Sequence, residues 1–145
     1  MRIIGFTIKK NELWISVLEG SSKETCILKT TEKFRFQADT ECSQLMNEFF
    51  NIFTEIIEKY NPNKIFYKLF LDSKKSQIEY MVYPWGILNY ICADKDISIS
   101  SFTGAWFSAS KNGKKKTKCC QEYFEQKSFN ADELVATTAA WYGFE

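Results

Sequence analysis

Residues 2–18, RIIGFTIKKNELWISVL, contain the strongest indication of the fold. Residues 2–8 form an apolar run rich in β-branched and aromatic side chains, which is typical of a buried strand. The polar residues 9–12 read as a turn, and residues 13–18 alternate in polarity as a second strand does. A third strand is expected within residues 25–36. The chain is therefore predicted to open as an antiparallel meander.

A long amphipathic helix is predicted after the meander. Apolar side chains recur at helical spacing along residues 40–60 and form a stripe about 100° wide. Asp39 or Thr40 can cap the amino end, and Asn61-Pro62-Asn63 ends the helix. We expect the helix to pack on the sheet through one apolar face, formed by Leu45, Phe49, Phe53, Ile56 and Ile57.

The second half of the chain alternates strands and helices. Strands are predicted at residues 64–71 and 97–102. Residues 76–93 indicate either one kinked helix or a helix that begins near Pro84. Further helices are expected at residues 118–126 and 130–142, the last one with Asn130 and Glu133 in a capping box. The length of 145 residues fits one domain, 1–145, of the α/β class with a mixed sheet.

Composition excludes several classes of chemistry. The chain has no histidine, which excludes His-based acid–base catalysis, Ser–His and Cys–His nucleophilic sites, and imidazole metal ligands. Its five cysteines are odd in number and contain no CxxC pair, so neither a disulfide framework nor a zinc site is expected. With no signal-peptide core and no long apolar run, we expect a cytoplasmic protein that does not enter a membrane.

Several segments resemble the RNase H-like superfamily, specifically its RuvC-like branch of Holliday-junction resolvases. Residues 2–8 resemble the opening strand of that branch, and residues 64–70 resemble its central strand. Residues 129–141, FNADELVATTAAW, resemble the last helix, and residues 111–118, KNGKKKTK, resemble a loop that touches DNA in resolvases. The opening segment also resembles a small uncharacterised bacterial family of RNase H-like proteins. The resemblance implies an RNase H-like fold.

The same resemblance locates a nuclease site that needs four carboxylates around two divalent metal ions. The acid of the first strand falls on Thr7, and that of the central strand on Lys68 or Leu69. The first acid of the last helix falls on Phe129, and only Asp132 matches a ligand position. Asp132 is thus a vestigial catalytic candidate or an ordinary acid at the positive end of a helix. We expect a pseudonuclease with no catalytic residues, no metal and no cofactor.

Nucleic-acid binding is the first functional hypothesis. Residues 111–118 contain five lysines and no acid, while the net charge of the whole chain is only +1. We expect a mobile basic loop that contacts the phosphates of DNA or RNA, with no indication of which one. The lysines are Lys111, Lys114, Lys115, Lys116 and Lys118. The nearby rings of Trp106, Phe107, Tyr123 and Phe124 fit either base stacking or core packing.

Two alternatives remain open. The aromatic side chains of Trp141, Tyr142 and Phe144 at the carboxyl end must fold back onto the core or meet a partner, so a homodimer or a protein-interaction module is one alternative. A metal-dependent nuclease with relocated acids is the other. Its candidate ligands are Glu12, Asp72 and Glu79.

Overall fold

A five-stranded mixed sheet forms the centre of the protein. The computed structural model describes residues 1–71, 73–111 and 113–145, except the side chain of Lys111. The strands are β1 (Arg2–Lys9), β2 (Glu12–Glu19), β3 (Ile27–Arg35), β4 (Lys64–Leu69) and β5 (Ser98–Thr103). Their order is β3-β2-β1-β4-β5, with antiparallel pairing from β1 to β3 and parallel pairing of β1, β4 and β5. The predicted meander and mixed sheet are confirmed.

Helices cover both faces of this sheet. They are α1 (Cys42–Tyr60), α2 (Ile78–Met81), α3 (Tyr83–Asp94), α4 (Gly104–Ser108), α5 (Lys116–Tyr123) and α6 (Ala131–Tyr142). A two-stranded hairpin, β6 (Ser110–Lys111) and β7 (Lys114–Lys115), joins α4 to α5. No helix in the described part of the chain is long and apolar enough to cross a membrane.

Helix α1 packs on one face of the sheet through the side chains that the sequence predicts. Leu45, Phe49, Phe53, Ile56 and Ile57 are all buried. The helix begins at Cys42, two residues later than expected. The cause is local: the backbone N–H of Thr40 donates to the carbonyl of Gln37 in a turn, and Glu41 remains extended.

The segment at residues 76–93 contains two helices, because α2 ends at Met81 and α3 begins at Tyr83 with Pro84 in its first turn. Proline is tolerated there because its missing N–H has no partner within the helix. The short helix α4 and the hairpin were not predicted, and α5 covers Lys116–Tyr123 instead of residues 118–126.

Helix α6 lies on the opposite face of the sheet from α1, and its backbone touches β1 directly at Gly5. A Cβ atom on Gly5 would lie 1.9 Å from the carbonyl oxygen of Ala136 and 2.9 Å from the backbone nitrogen of Ala140. Only glycine permits such an approach. This contact fixes how close the last helix lies to the first strand.

Candidate nucleic-acid interface

The first turn of α6 is held against the sheet by polar contacts. Asn130 caps the helix by accepting the Glu133 N–H at 2.8 Å, and the Glu133 carboxylate accepts the Asn130 N–H, so the predicted capping box forms. The other oxygen of Glu133 accepts the Thr31 hydroxyl of β3 at 2.8 Å. One turn later, the hydroxyls of Thr137 and Ser16 form a buried hydrogen bond of 2.8 Å. These contacts fix the position of Asp132, which lies in the same first turn.

Thr7 and Lys68 lie on adjacent strands, below this end of α6. The last registered pair of β1 and β4 is Phe6 with Tyr67, so Thr7 and Lys68 follow one residue later on each strand. Thr7 is almost completely buried, with 2% of its surface exposed. Burial lowers the pKa of Lys68, and the charge of Asp132, which lies within electrostatic range, opposes this lowering. Thr7 and Lys68 are thus neighbours on the sheet, and Asp132 acts electrostatically on Lys68, while the clustering of all four positions stays a prediction.

Phe129, the fourth position, packs elsewhere. Its ring meets that of Phe124 edge to face, with centroids 6.3 Å apart. Phe124 belongs to the apolar cluster between α5 and α6. Phe129 therefore serves the packing of the residues that precede α6.

These residues do not fit a two-metal centre. A buried threonine, an ammonium group and one carboxylate replace the set of oxygen ligands that Mg²⁺ requires, and the ammonium repels a cation. Within the described ranges, no group of three or more His, Cys, Asp and Glu side chains could hold a metal ion. Of the proposed relocated acids, Glu12 pairs with Lys33 at 3.4 Å and Glu79 is exposed on α2. Asp72 lies outside the described residues.

An open cleft of about 560 Å³ lies beside Lys68. The Lys68 ammonium lies 4.8 Å from the ring centroid of Phe70 and 5.4 Å from that of Phe107. Burial is the main cause that lowers the pKa of Lys68, and the charge of Lys9 adds to it. The cleft is lined by Lys68, Phe70, Leu71, Thr103, Gly104, Ala105 and Ser108.

The sequence gives no sign of this cleft, because helix α4 supplies much of its lining and no pattern predicts α4. The pattern around Thr103 did contain one signal. Thr103 caps α4 by accepting the Trp106 N–H at 3.3 Å, and threonine is a frequent residue at the start of a helix.

The described residues of the predicted lysine loop lie in β6, β7 and the first turn of α5, so a hairpin and a helix start occur where the sequence predicts a loop, while its mobility stays a prediction. Lys114 pairs with Glu122 of α5 at 3.1 Å. The Lys116 ammonium donates to the carbonyl of Trp106 at 3.1 Å and lies 4.7 Å from the centre of its ring. Two of the five lysines are therefore engaged within the protein.

Lys115 and Lys118 are exposed, and no ion pair of theirs is found within the part of the chain that the structure describes. The side chain of Lys111 lies outside the described residues. The nucleic-acid role of these lysines stays a prediction. On the described geometry, Lys115 and Lys118 are exposed without an ion pair, whereas Lys114 is exposed within its pair with Glu122.

The rings near the hairpin pack against the protein. Trp106 stacks on Phe102 with centroids 3.8 Å apart, and Phe107 is buried. The Tyr123 hydroxyl donates to the carbonyl of Cys26 at 2.8 Å. Of the two interpretations offered by the sequence, packing describes these three rings.

The aromatic side chains at the carboxyl end fold back onto the protein, which is the first of the two possibilities that the sequence leaves open. Trp141 is 8% exposed, and its indole N–H donates to the carbonyl of Lys23 at 3.0 Å. The Lys23 ammonium lies 3.6 Å from the centre of the Tyr142 ring, and burial raises the pKa of Tyr142 to about 12. Phe144 is half-buried and belongs to the same apolar cluster as Trp141 and Tyr142. The binding of a partner by these residues stays a prediction, and little of the Trp141 surface is accessible to a partner.

Comparison of the structure with solved structures finds similarity to Holliday-junction resolvases. T. thermophilus RuvC in complex with a Holliday junction substrate matches with a TM-score of 0.76 and 10% identity, over 99% of this chain and 93% of that chain. The yeast mitochondrial resolvase Ydc2 matches with a TM-score of 0.65 and 10% identity, over 96% of this chain and 74% of that chain. The fowlpox virus resolvase bound to junction DNA matches with a TM-score of 0.60 and 13% identity, over 99% and 96% of the two chains.

No family model matches the sequence, and no curated protein matches it by sequence. Identities of 10 to 13% are evidence of a common fold, and function must be argued from the site. The match extends over nearly the whole chain and includes the mixed sheet with its flanking helices. The chain therefore has the RuvC-like form of the RNase H fold.

Proposed function

We propose that this protein binds nucleic acid through its basic hairpin and the start of α5, and that it does not cleave phosphodiester bonds. The observation that carries the proposal is the exposure of Lys115 and Lys118 on a fold shared with structures that hold Holliday junctions. Lysine ammonium groups attract phosphates as point charges and do not read base sequence. Binding is thus expected to be modest in affinity and similar for unrelated sequences.

The absence of cleavage is proposed from the side chains at the end of β1, β4 and α6. Asp132 alone is an acid among Thr7, Lys68 and Asp132, and one carboxylate cannot hold two divalent ions. We expect no Mg²⁺- or Mn²⁺-dependent cleavage of branched DNA, single-stranded DNA or RNA. Cleavage that disappears in the Asp132→Ala variant would overturn this half of the proposal.

Fluorescence anisotropy with a labelled four-way DNA junction, single-stranded DNA and RNA tests the binding half. Each lost lysine–phosphate contact lowers the slope of log K against log salt by about 0.9 on duplex DNA, so Lys115→Ala/Lys118→Ala should lower it by about 1.8. The matched control is Lys64→Ala/Lys95→Ala, which removes the same charge near the amino ends of β4 and β5. If both double variants bind like the wild type, the hairpin and α5 do not form the interface.

A further inference from the structure

Lys68 combines a charge, partial burial and an open cleft. Its side chain belongs to the α6 face of β4, because Ile65, Tyr67 and Leu69 alternate onto the opposite face against α1 and α3. The ammonium lies 4.8 Å from the ring centroid of Phe70 and 5.4 Å from that of Phe107, and Lys68 lines the cleft of about 560 Å³. Water therefore reaches this cation from the cleft side.

The charge of Lys68 is only partly compensated within the protein. No carboxylate in the described ranges lies within 4.0 Å of its ammonium group, although Asp132 is within electrostatic range. The pKa of Lys68 is nevertheless lowered, because burial and the charge of Lys9 outweigh the attraction of Asp132. A desolvated cation of this kind gains more from an anion than an exposed lysine does, since the surrounding dielectric is lower.

The cleft also contains a hydroxyl donor. The Thr103 oxygen accepts the Trp106 N–H, which leaves the hydroxyl hydrogen free to donate to a ligand. Thr103 is the last residue of β5, and both Thr103 and Lys68 line the cleft. An ammonium and a hydroxyl in one cleft match the oxygens of a phosphate group.

We propose that the cleft beside Lys68 binds one phosphate of a nucleic-acid backbone, with the Lys68 ammonium as its counter-charge and the Thr103 hydroxyl as a second donor. This inference rests on the proposed function and adds a second contact region to it. Helix α4 connects the two regions: Ala105 and Ser108 line the cleft, while Trp106 contacts Lys116 at the start of α5. A strand bound at the hairpin would thereby continue along α4 into the cleft.

Anisotropy titrations with Lys68→Met test the inference, because methionine keeps most of the side-chain length and removes the charge. Affinity for the labelled junction should fall about tenfold, the loss expected for one charge-assisted hydrogen bond, and the salt slope should fall by about 0.9. Lys68→Arg should retain most of the affinity. Lys64→Met is the matched control, since residue 64 lies on the same face of β4 at its other end.

Thermal melting separates binding from a structural role. Replacing a poorly compensated buried charge with methionine should leave Tm unchanged or raise it. A Tm that falls together with the affinity would identify Lys68 as a structural residue and overturn the inference. Footprinting by lysine acetylation gives a second readout: bound junction should protect Lys68 and leave Lys64 reactive.

The outcomes also distinguish this inference from the proposed function. If Lys115→Ala/Lys118→Ala weakens binding and Lys68→Met does not, the phosphate site is wrong and the hairpin interface stands. If Lys68→Met weakens binding and the double variant does not, the cleft is the main contact and the hairpin proposal is wrong. If the wild type binds no nucleic acid at low salt, both are wrong.

Discussion

Replacing Gly5 with alanine should destabilise the protein by forcing α6 away from β1. The new Cβ would lie 1.9 Å from the Ala136 oxygen, and an ordinary contact of 3.4 Å needs a movement of about 1.5 Å. Both atoms near the new methyl group belong to the backbone of α6, so no side-chain rotation can relieve the contact. Overpacking of this severity costs about 3 kcal/mol. Alanine also lowers the conformational entropy of the unfolded chain, which stabilises the folded protein by about 0.7 kcal/mol.

The net loss is therefore about 2 kcal/mol, which corresponds to a Tm lower by about 7 °C for a domain of this size. Urea unfolding followed by circular dichroism measures the free energy directly. Gly86→Ala is the matched control: Gly86 lies exposed in α3 with no atom within 4 Å of an added Cβ, and alanine there should stabilise by about 0.5–1 kcal/mol. A Gly5→Ala variant as stable as the wild type would show that α6 does not pack on β1 as described.

Three further substitutions or labels test other parts of the structure. Phe53→Ala should cost about 3–5 kcal/mol in urea unfolding, because its fully buried ring packs on Phe6 with centroids 5.5 Å apart, and a cost below about 1 kcal/mol would contradict that packing. Asn130→Ala should cost about 1 kcal/mol by removing the cap of α6, and an unchanged midpoint would exclude the cap. Burial raises the pKa of Cys92 to about 11 and that of Cys120 to about 12, so at pH 8 fewer than about one thiol in 1,000 is ionised. Mass spectrometry after brief alkylation should find both unlabelled in the native protein, and rapid labelling would contradict their burial.

The regular elements could be predicted because the sequence repeats at the period of each one. The five buried side chains of α1 follow helical spacing over about three and a half turns, and that spacing places them on one face of the helix. The strands of the meander were identified from short β-branched runs, which fix the kind of element better than its ends. The start of α1 was misplaced because the turn at residues 37–40 uses a backbone bond that leaves no mark in the side-chain pattern.

The contacts of the lysines could not be predicted, because they join side chains whose pairing leaves no local pattern in the sequence. Lys23 lies against Tyr142 and Trp141, more than 100 residues away, and neither end of that contact has a local signature. The partner of Lys114 is eight residues distant and was hidden by the run of like charges around it. The run of lysines in the sequence indicates the basic segment. The tertiary structure shows which of the described lysines contact other groups of the protein.

The position of Lys68 has a consequence for the whole site. A glutamate at residue 68 would lie within electrostatic range of Asp132 in a partly desolvated cleft, and two like charges there would raise the pKa of one carboxyl. Two ionised carboxylates in that place would be stable only with a cation beside them. With lysine at residue 68, the field of Asp132 favours the charged ammonium without any metal. In the phosphate site that we propose, Lys68 itself supplies the cation, and the single substitution Lys68→Glu would remove that cation without providing further metal ligands.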